Sequence, residues 1–127
     1  MLEAICNAGH KLNLFGGGWD AALSHLSPDS PLRAKYPIVP AIGDEYRYAI
    51  CGAKVALCFL SKLNEDTYTR RNFQISAMNT AMLSQHTDDL VSLFAPNKES
   101  MFFQNEFEML EKINILLSAD QIRTKIA

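Results

Sequence analysis

The chain has 127 residues, 48% of them hydrophobic, and a formal net charge of −2. That is one domain's worth of chain with enough apolar side chains for a core, and it holds no basic tract suited to nucleic acid. No apolar run reaches the roughly 18 residues a membrane helix needs, and the opening MLEAICNAGHK lacks the charged start and apolar core of a secretory signal.

Leu2, Ile5 and Cys6 fall on one face of a predicted helix over 2–8, stopped at Gly9. LNLF, 12–15, reads as a strand ending in Gly16-Gly17-Gly18-Trp19, where glycines permit positive φ and close approach by another group. A short helix over 20–26 follows, then a proline-rich loop, 28–37. Ile38-Val39 is a strand candidate between Pro37 and Pro40. Asp44 is the expected N-cap of a helix with Tyr46, Ala49, Ile50 and Ala53 on one face.

VALCFL, 55–60, is a continuous apolar run that suits a strand covered on both faces. After the polar loop 61–69, Thr69 is expected to cap a helix through about Met78, and Ala81-Met82-Leu83 is the next strand. Thr87-Asp88-Asp89 starts a helix, with acids near its positive end, that stops at Pro96-Asn97. Met101-Phe102-Phe103 is the last strand. Asn105 with Glu108 resembles a capping box, and a closing helix covers 119–126. The pattern predicts an α/β fold: a single Rossmann-like domain over 1–127, with a mostly parallel sheet of about five strands and helices on both faces. Such sheets bind ligands at the carboxyl ends of their strands, which places the loops after 12–15, 55–60 and 81–83 at the expected site.

Cys6, Cys51 and Cys58 are odd in number and without C-x-x-C spacing, so they read as buried small apolar residues in a reducing, cytoplasmic setting. His10, His25 and His86 are dispersed, and no metal is expected. The glycine turn reads either as a phosphate-facing loop or as a tight turn alone; it is neither G-x-G-x-x-G nor a Walker motif. Arg70 and Arg71, at a helix start, suit a diphosphate through paired donors and the helix dipole, against the alternative of a solvated surface pair. Successive helical residues point about 100° apart, so the two rarely serve one ligand equally and one of them is open to a structural role. Asp66 and Gln74 can hydrogen-bond sugar hydroxyls, although Asp66 also suits plain turn chemistry. His86, Asp88 and Asp89 are of types that can serve in catalysis, but a solvent-facing helix start is the better explanation for them. Trp19 lines a cleft or serves as a core or interface aromatic.

The stretch 64–94, NEDTYTRRNFQISAMNTAMLSQHTDDLVSLF, resembles the C-terminal domain of CgeB-like (spore-maturation type) glycosyltransferases, relatives of the group 1 family with the GT-B fold. The specific part is the T-x-R-x-F-x-I-x-A block. LNLFGGGW upstream and the SMFF strand with its Glu108–Leu117 helix extend the likeness over nearly the whole chain. The resemblance implies a donor-binding domain for a nucleoside-diphosphate sugar, with Gly17, Gly18, Trp19, Asp66, Thr69, Arg70, Arg71, Gln74 and Asn79 at the donor site. It implies no cofactor, no metal and no catalytic residue in this chain. The pair aligned with the family's two acids is Asp66 and Gln74, and Asn79 stands where glycine is usual; Asn tolerates the left-handed conformation that glycine supplies there. The implied partner is a missing N-terminal acceptor domain, without which transfer fails, and self-association through the face that would meet it is expected. Met1 opening on a helix is read as an excised domain or a truncated frame. The alternative is a non-catalytic interaction or regulatory module that retains the fold. A response-regulator-like domain would place acids at the end of the first strand, where three glycines stand.

Overall fold

The apolar run after Lys54 forms β1 (Val55–Cys58), and the next two apolar segments form β2 (Ala81–Gln85) and β3 (Met101–Phe103). They make one parallel sheet in the order β1-β2-β3, with Val55 opposite Ala81 and Leu83 opposite Met101. The computed structural model describes every residue, Met1–Ala127, as two compact units, Met1–Tyr46 and Arg47–Ala127, and the sheet lies wholly in the second.

Seven α-helices flank or precede the strands: α1 (Leu2–Asn7), α2 (Trp19–Leu23), α3 (Asp44–Cys51), α4 (Arg70–Ala77), α5 (Asp88–Leu93), α6 (Glu106–Ser118) and α7 (Asp120–Ile126). Parallel strands need crossovers, and right-handed ones along β1-α4-β2-α5-β3 place α4 and α5 on the same face. On that face Ala56, Cys58 and Met82 pack with Ile75 of α4, joined by Ile50 and Phe94. Side chains alternate along a strand, so Leu83 and Phe103 point to the opposite face. There α6 lies against all three strands and α7 against β2, burying Met109, Ile113, Leu116 and Ile126. Cover on both faces explains why Ala81-Met82-Leu83 of β2 and all of β3 read as unbroken apolar runs rather than alternating ones.

The α/β class is as expected, but the sheet has three strands, not about five. LNLF (12–15) and Ile38-Val39 are irregular, and in the first unit one backbone bond, Gly16 N–H to Val39 C=O at 3.1 Å, marks where they meet. Pro37 and Pro40 bracket Ile38-Val39 without N–H donors, so that segment cannot sustain a ladder. The first unit instead packs α1 against a 3₁₀ turn (Pro31–Lys35), within the stretch expected to be plain loop. Ser30 Oγ caps that turn by accepting from Leu32 N–H at 3.3 Å and also donates to the Glu3 carboxylate. Gly18 is the N-cap of α2 with φ of +79°, a left-handed value that suits glycine. The indole of Trp19 lies over Gly16, where an added Cβ would come within 3.2 Å of Nε1.

The later helix starts follow the expected chemistry. Thr87 Oγ1 accepts from Leu90 N–H at 3.1 Å to open α5. Asn105 Oδ1 accepts from Glu108 N–H at 2.9 Å to open α6, while the Glu108 carboxylate reaches back to Gln104 N–H at 2.9 Å. Asn79 follows the C-cap of α4 with φ of +53°, so the asparagine holds the left-handed turn itself.

Candidate functional site

The candidate site of the second unit lies where β1, β2 and β3 end. The chain leaves β1 at Cys58, turns through 59–68, and enters α4 at Thr69. That loop is stitched to the following strand–helix connection at two points: Leu60 N–H donates to Gln85 Oε1 at 2.6 Å, and Thr87 Oγ1 donates to Thr67 C=O at 2.6 Å. Inside the loop, Asp66 N–H bonds Ser61 C=O at 3.1 Å, and Glu65 turns the chain with φ of +52°. Leu63, 98% exposed, is at its tip.

The start of α4 is held from beneath by a buried polar chain. Asn72, fully buried at the third helical position, accepts Thr69 N–H on Oδ1 at 2.9 Å and donates from Nδ2 to Ser84 Oγ at 3.1 Å. Ser84 Oγ in turn donates to Cys58 C=O at 3.3 Å. One side chain thus ties the first turn of α4 to the ends of β1 and β2. Buried polar groups persist when they are bonded, and these are. Burial pushes the Cys58 thiol above its ordinary range, while the Thr69 hydroxyl, the nearby Arg71 charge, Ser84 and Asn72 pull the other way.

With Thr69 N–H taken by Asn72, the N–H groups of Arg70 and Arg71 open the helix without protein acceptors. Both arginines are exposed. The electrostatics here are inverted relative to the rest of the molecule. Glu3, Asp20, Asp44, Asp88, Glu106 and Asp120 place an acid in the first turn of α1, α2, α3, α5, α6 and α7, whereas the first turn of α4 has none and holds two arginines. Cations at the positive end of a helix dipole are unfavourable by about 0.3–1 kcal/mol each, and an anion there reverses the sign.

Asp66, Thr69, Arg70 and Arg71 therefore share one edge of the sheet. Gln74 stands one turn along α4. Asn79 lies beyond the far end of the helix, about 12 Å from Arg71 along the axis at 1.5 Å per residue, and leads into the opposite end of β2. Gly17, Gly18 and Trp19 belong to the first unit, where the Trp19 carbonyl accepts the Tyr36 hydroxyl at 2.6 Å.

Beside the α4 start, at the same edge, Leu60, Gln85, His86, Phe103 and Gln104 line a cleft of ≈ 340 Å³. His86 N–H bonds Phe103 C=O at 2.9 Å, and its ring stands edge-on to Phe102 with centroids 6.4 Å apart. Sequence reasoning placed His86 at a solvent-facing helix start with Asp88 and Asp89. The two acids are exposed there, but His86 is half-buried and lines the cleft. Gln85, Gln104, Asn72 and Ser84 were not singled out at all. The available signal was positional: polar residues immediately after an apolar strand in a parallel sheet stand at the ligand-binding edge.

A three-layered α/β unit with a parallel sheet and an electropositive helix start at its carboxyl edge defines a Rossmann-like domain. The chain belongs to the glycosyl transferase-like family, which it matches over residues 1–127. No curated protein and no solved structure matched significantly. No helix is long and apolar enough to cross a membrane.

Proposed function

We propose that the chain binds the diphosphate of a nucleoside-diphosphate sugar at the start of α4, as the donor domain of a GT-B-type, CgeB-like glycosyltransferase completed by a separate acceptor-binding domain. The observation that carries this reading is the inverted first turn of α4: Arg70, Arg71 and two unpartnered N–H groups, at the edge of the sheet where such folds take ligands, in a member of a glycosyl transferase-like family. A diphosphate satisfies the N–H groups, matches the guanidinium donors and removes the charge conflict with the dipole. In the transfer step the same groups stabilise the negative charge that grows on the leaving diphosphate.

Under this reading Arg71, the arginine of the T-x-R block, is the principal phosphate contact, and Arg70 contributes less. Gln74, one turn further, offers an amide to a ribose diol, and Asp66 offers a carboxylate from the loop. Asn79 acts only as the turn that ends α4 and starts β2. Thr69 sets the entry angle of the helix through its bond to Asn72. The acceptor and its general base belong to the other domain.

Titration calorimetry with UDP, GDP, ADP and inorganic pyrophosphate tests the reading. Loss of one charge-assisted arginine contact is worth about 1.5–3 kcal/mol, so Arg71→Ala should weaken binding roughly 10- to 150-fold with an unchanged circular dichroism spectrum. No binding of any of these ligands at millimolar concentration overturns the proposal.

A further inference from the structure

We propose that the cleft lined by Leu60, Gln85, His86, Phe103 and Gln104 is a neutral polyol site that takes the hexose ring of the donor. This assignment rests on the diphosphate reading above.

Three observations carry it. First, the lining contains no carboxylate, ammonium or guanidinium. An anion or a cation would meet no counter-charge there, whereas two carboxamides and an imidazole can each donate and accept, as sugar hydroxyls require. Second, all three polar heads are unspent, and those of Gln85 and His86 are also held in place. Gln85 gives its Oε1 to Leu60 N–H at 2.6 Å, which fixes the carboxamide plane and leaves Nε2 without a protein acceptor. The imidazole of His86 is oriented by Phe102, with neither ring nitrogen bonded to protein. Gln104 uses its backbone N–H on Glu108, and its side-chain amide bonds nothing in the protein. Third, the cleft shares the 59–68 loop with the start of α4, through Leu60 at one end and Thr69 at the other. A diphosphate seated at Arg71 therefore directs its sugar along the edge of the sheet toward Gln85 and His86. The volume, ≈ 340 Å³, admits one pyranose ring with ordered water. Leu60 and Phe103 supply the apolar floor that sugar C–H faces prefer.

The site is separable from the diphosphate site by comparing ligands that differ only in the sugar. Calorimetry is run with UDP against UDP-glucose, and with GDP against GDP-mannose, on the wild-type chain, His86→Ala, Gln104→Ala and Arg71→Ala. Side-chain amide resonances of Gln85 and Gln104 are followed by ¹H–¹⁵N NMR. For at least one pair the sugar should tighten wild-type binding severalfold. His86→Ala and Gln104→Ala should erase that increment while leaving affinity for the bare diphosphate within twofold. Arg71→Ala should weaken both members of the pair alike. The Gln85 and Gln104 amide signals should shift with the sugar-bearing ligand and not with the bare diphosphate. Gln104 is exposed, so its variant keeps the test open should His86→Ala fail to fold. A sugar increment that survives both variants, or its absence in both wild-type pairs, overturns the cleft assignment and leaves the diphosphate reading standing. Failure of the wild type to bind any diphosphate removes the diphosphate reading and the cleft assignment with it.

Discussion

Replacing Asn72 with alanine should be among the most damaging single changes in the second unit, although the residue contacts no predicted ligand. The substitution removes two principal bonds, Thr69 N–H to Oδ1 at 2.9 Å and Nδ2 to Ser84 Oγ at 3.1 Å, together with two longer ones, Thr69 Oγ1 to Oδ1 at 3.3 Å and Nδ2 to Met82 Sδ at 3.5 Å. The first is a helix-cap interaction, worth about 1 kcal/mol. The second lies at a fully buried position, where losing a partner costs about 1–3 kcal/mol. Ser84 keeps its bond to Cys58 C=O, which limits the second loss. A total of about 3 kcal/mol follows, equivalent to a drop of roughly 1–3 M in the urea midpoint at the slopes usual for small domains. Ser84→Ala breaks the same central bond but leaves Asn72 Nδ2 facing Met82 Sδ at 3.5 Å. The double variant should therefore lose less than the sum of the singles, with a coupling of about 1–2 kcal/mol. Urea unfolding followed by circular dichroism on the four members of the cycle measures this. A cost for Asn72→Ala below about 0.5 kcal/mol, the range of an ordinary surface change, or full additivity with Ser84→Ala, would refute the claim that this chain of bonds fastens α4 to the sheet.

Asn79, at φ of +53°, should accept glycine with no loss or with a gain of up to about 1 kcal/mol, while Asn79→Val should cost about 1–2 kcal/mol, read from thermal melts. Equal melting of the two variants would contradict the left-handed turn. Of the three thiols expected to be buried, only Cys58 is fully so; Cys51 is exposed and should react with a thiol reagent in the native protein, Cys58 only on unfolding. Because burial raises the Cys58 pKa, the folded state favours the protonated thiol. Its contribution is complete below the unfolded value of about 8.5 and declines as pH rises through the folded one. Stability measured against Cys58→Ala from pH 7 to 10 should show wild type losing ground above about pH 8.5, and parallel curves would exclude the effect.

What the residues reveal before folding depends on whether the decisive contact is local. Thr87 with Leu90 and Asn105 with Glu108 are settled within four residues and are legible locally, whereas the left-handed turn at Asn79 is legible through the resemblance, which has glycine there. VALCFL and MFF are legible for a different reason: apolar runs short enough for strands and unbroken by polar residues need cover, which α4 and α6 give β1 and α6 gives β3. LNLF and Ile38-Val39 have similar composition, yet strand status depends on a partner elsewhere in the chain. Between Pro37 and Pro40 the second segment has too few donors to provide one. Composition describes a segment's willingness to pair, and pairing is decided by what lies opposite.

The same distinction divides the site. Arg70 and Arg71 stand out because a cation pair at a helix start is a conflict visible over a few residues. Asn72 beside them gives no such sign, since its meaning lies in Ser84, twelve positions away on another strand. Gln85 and His86 were obscured by an off-by-two strand end. With β2 ending at Leu83, they become a polar run-in to α5; with β2 continuing to Gln85, they sit on the carboxyl edge where ligands bind. The extension has a physical source. Gln85 stays in register opposite Phe103 because its carboxamide holds Leu60 N–H, a bond that a purely apolar strand end could not make. The residue that hydropathy places beyond the strand is thus the one whose polarity prolongs it, and its unspent Nε2 is what gives the cleft a donor to offer.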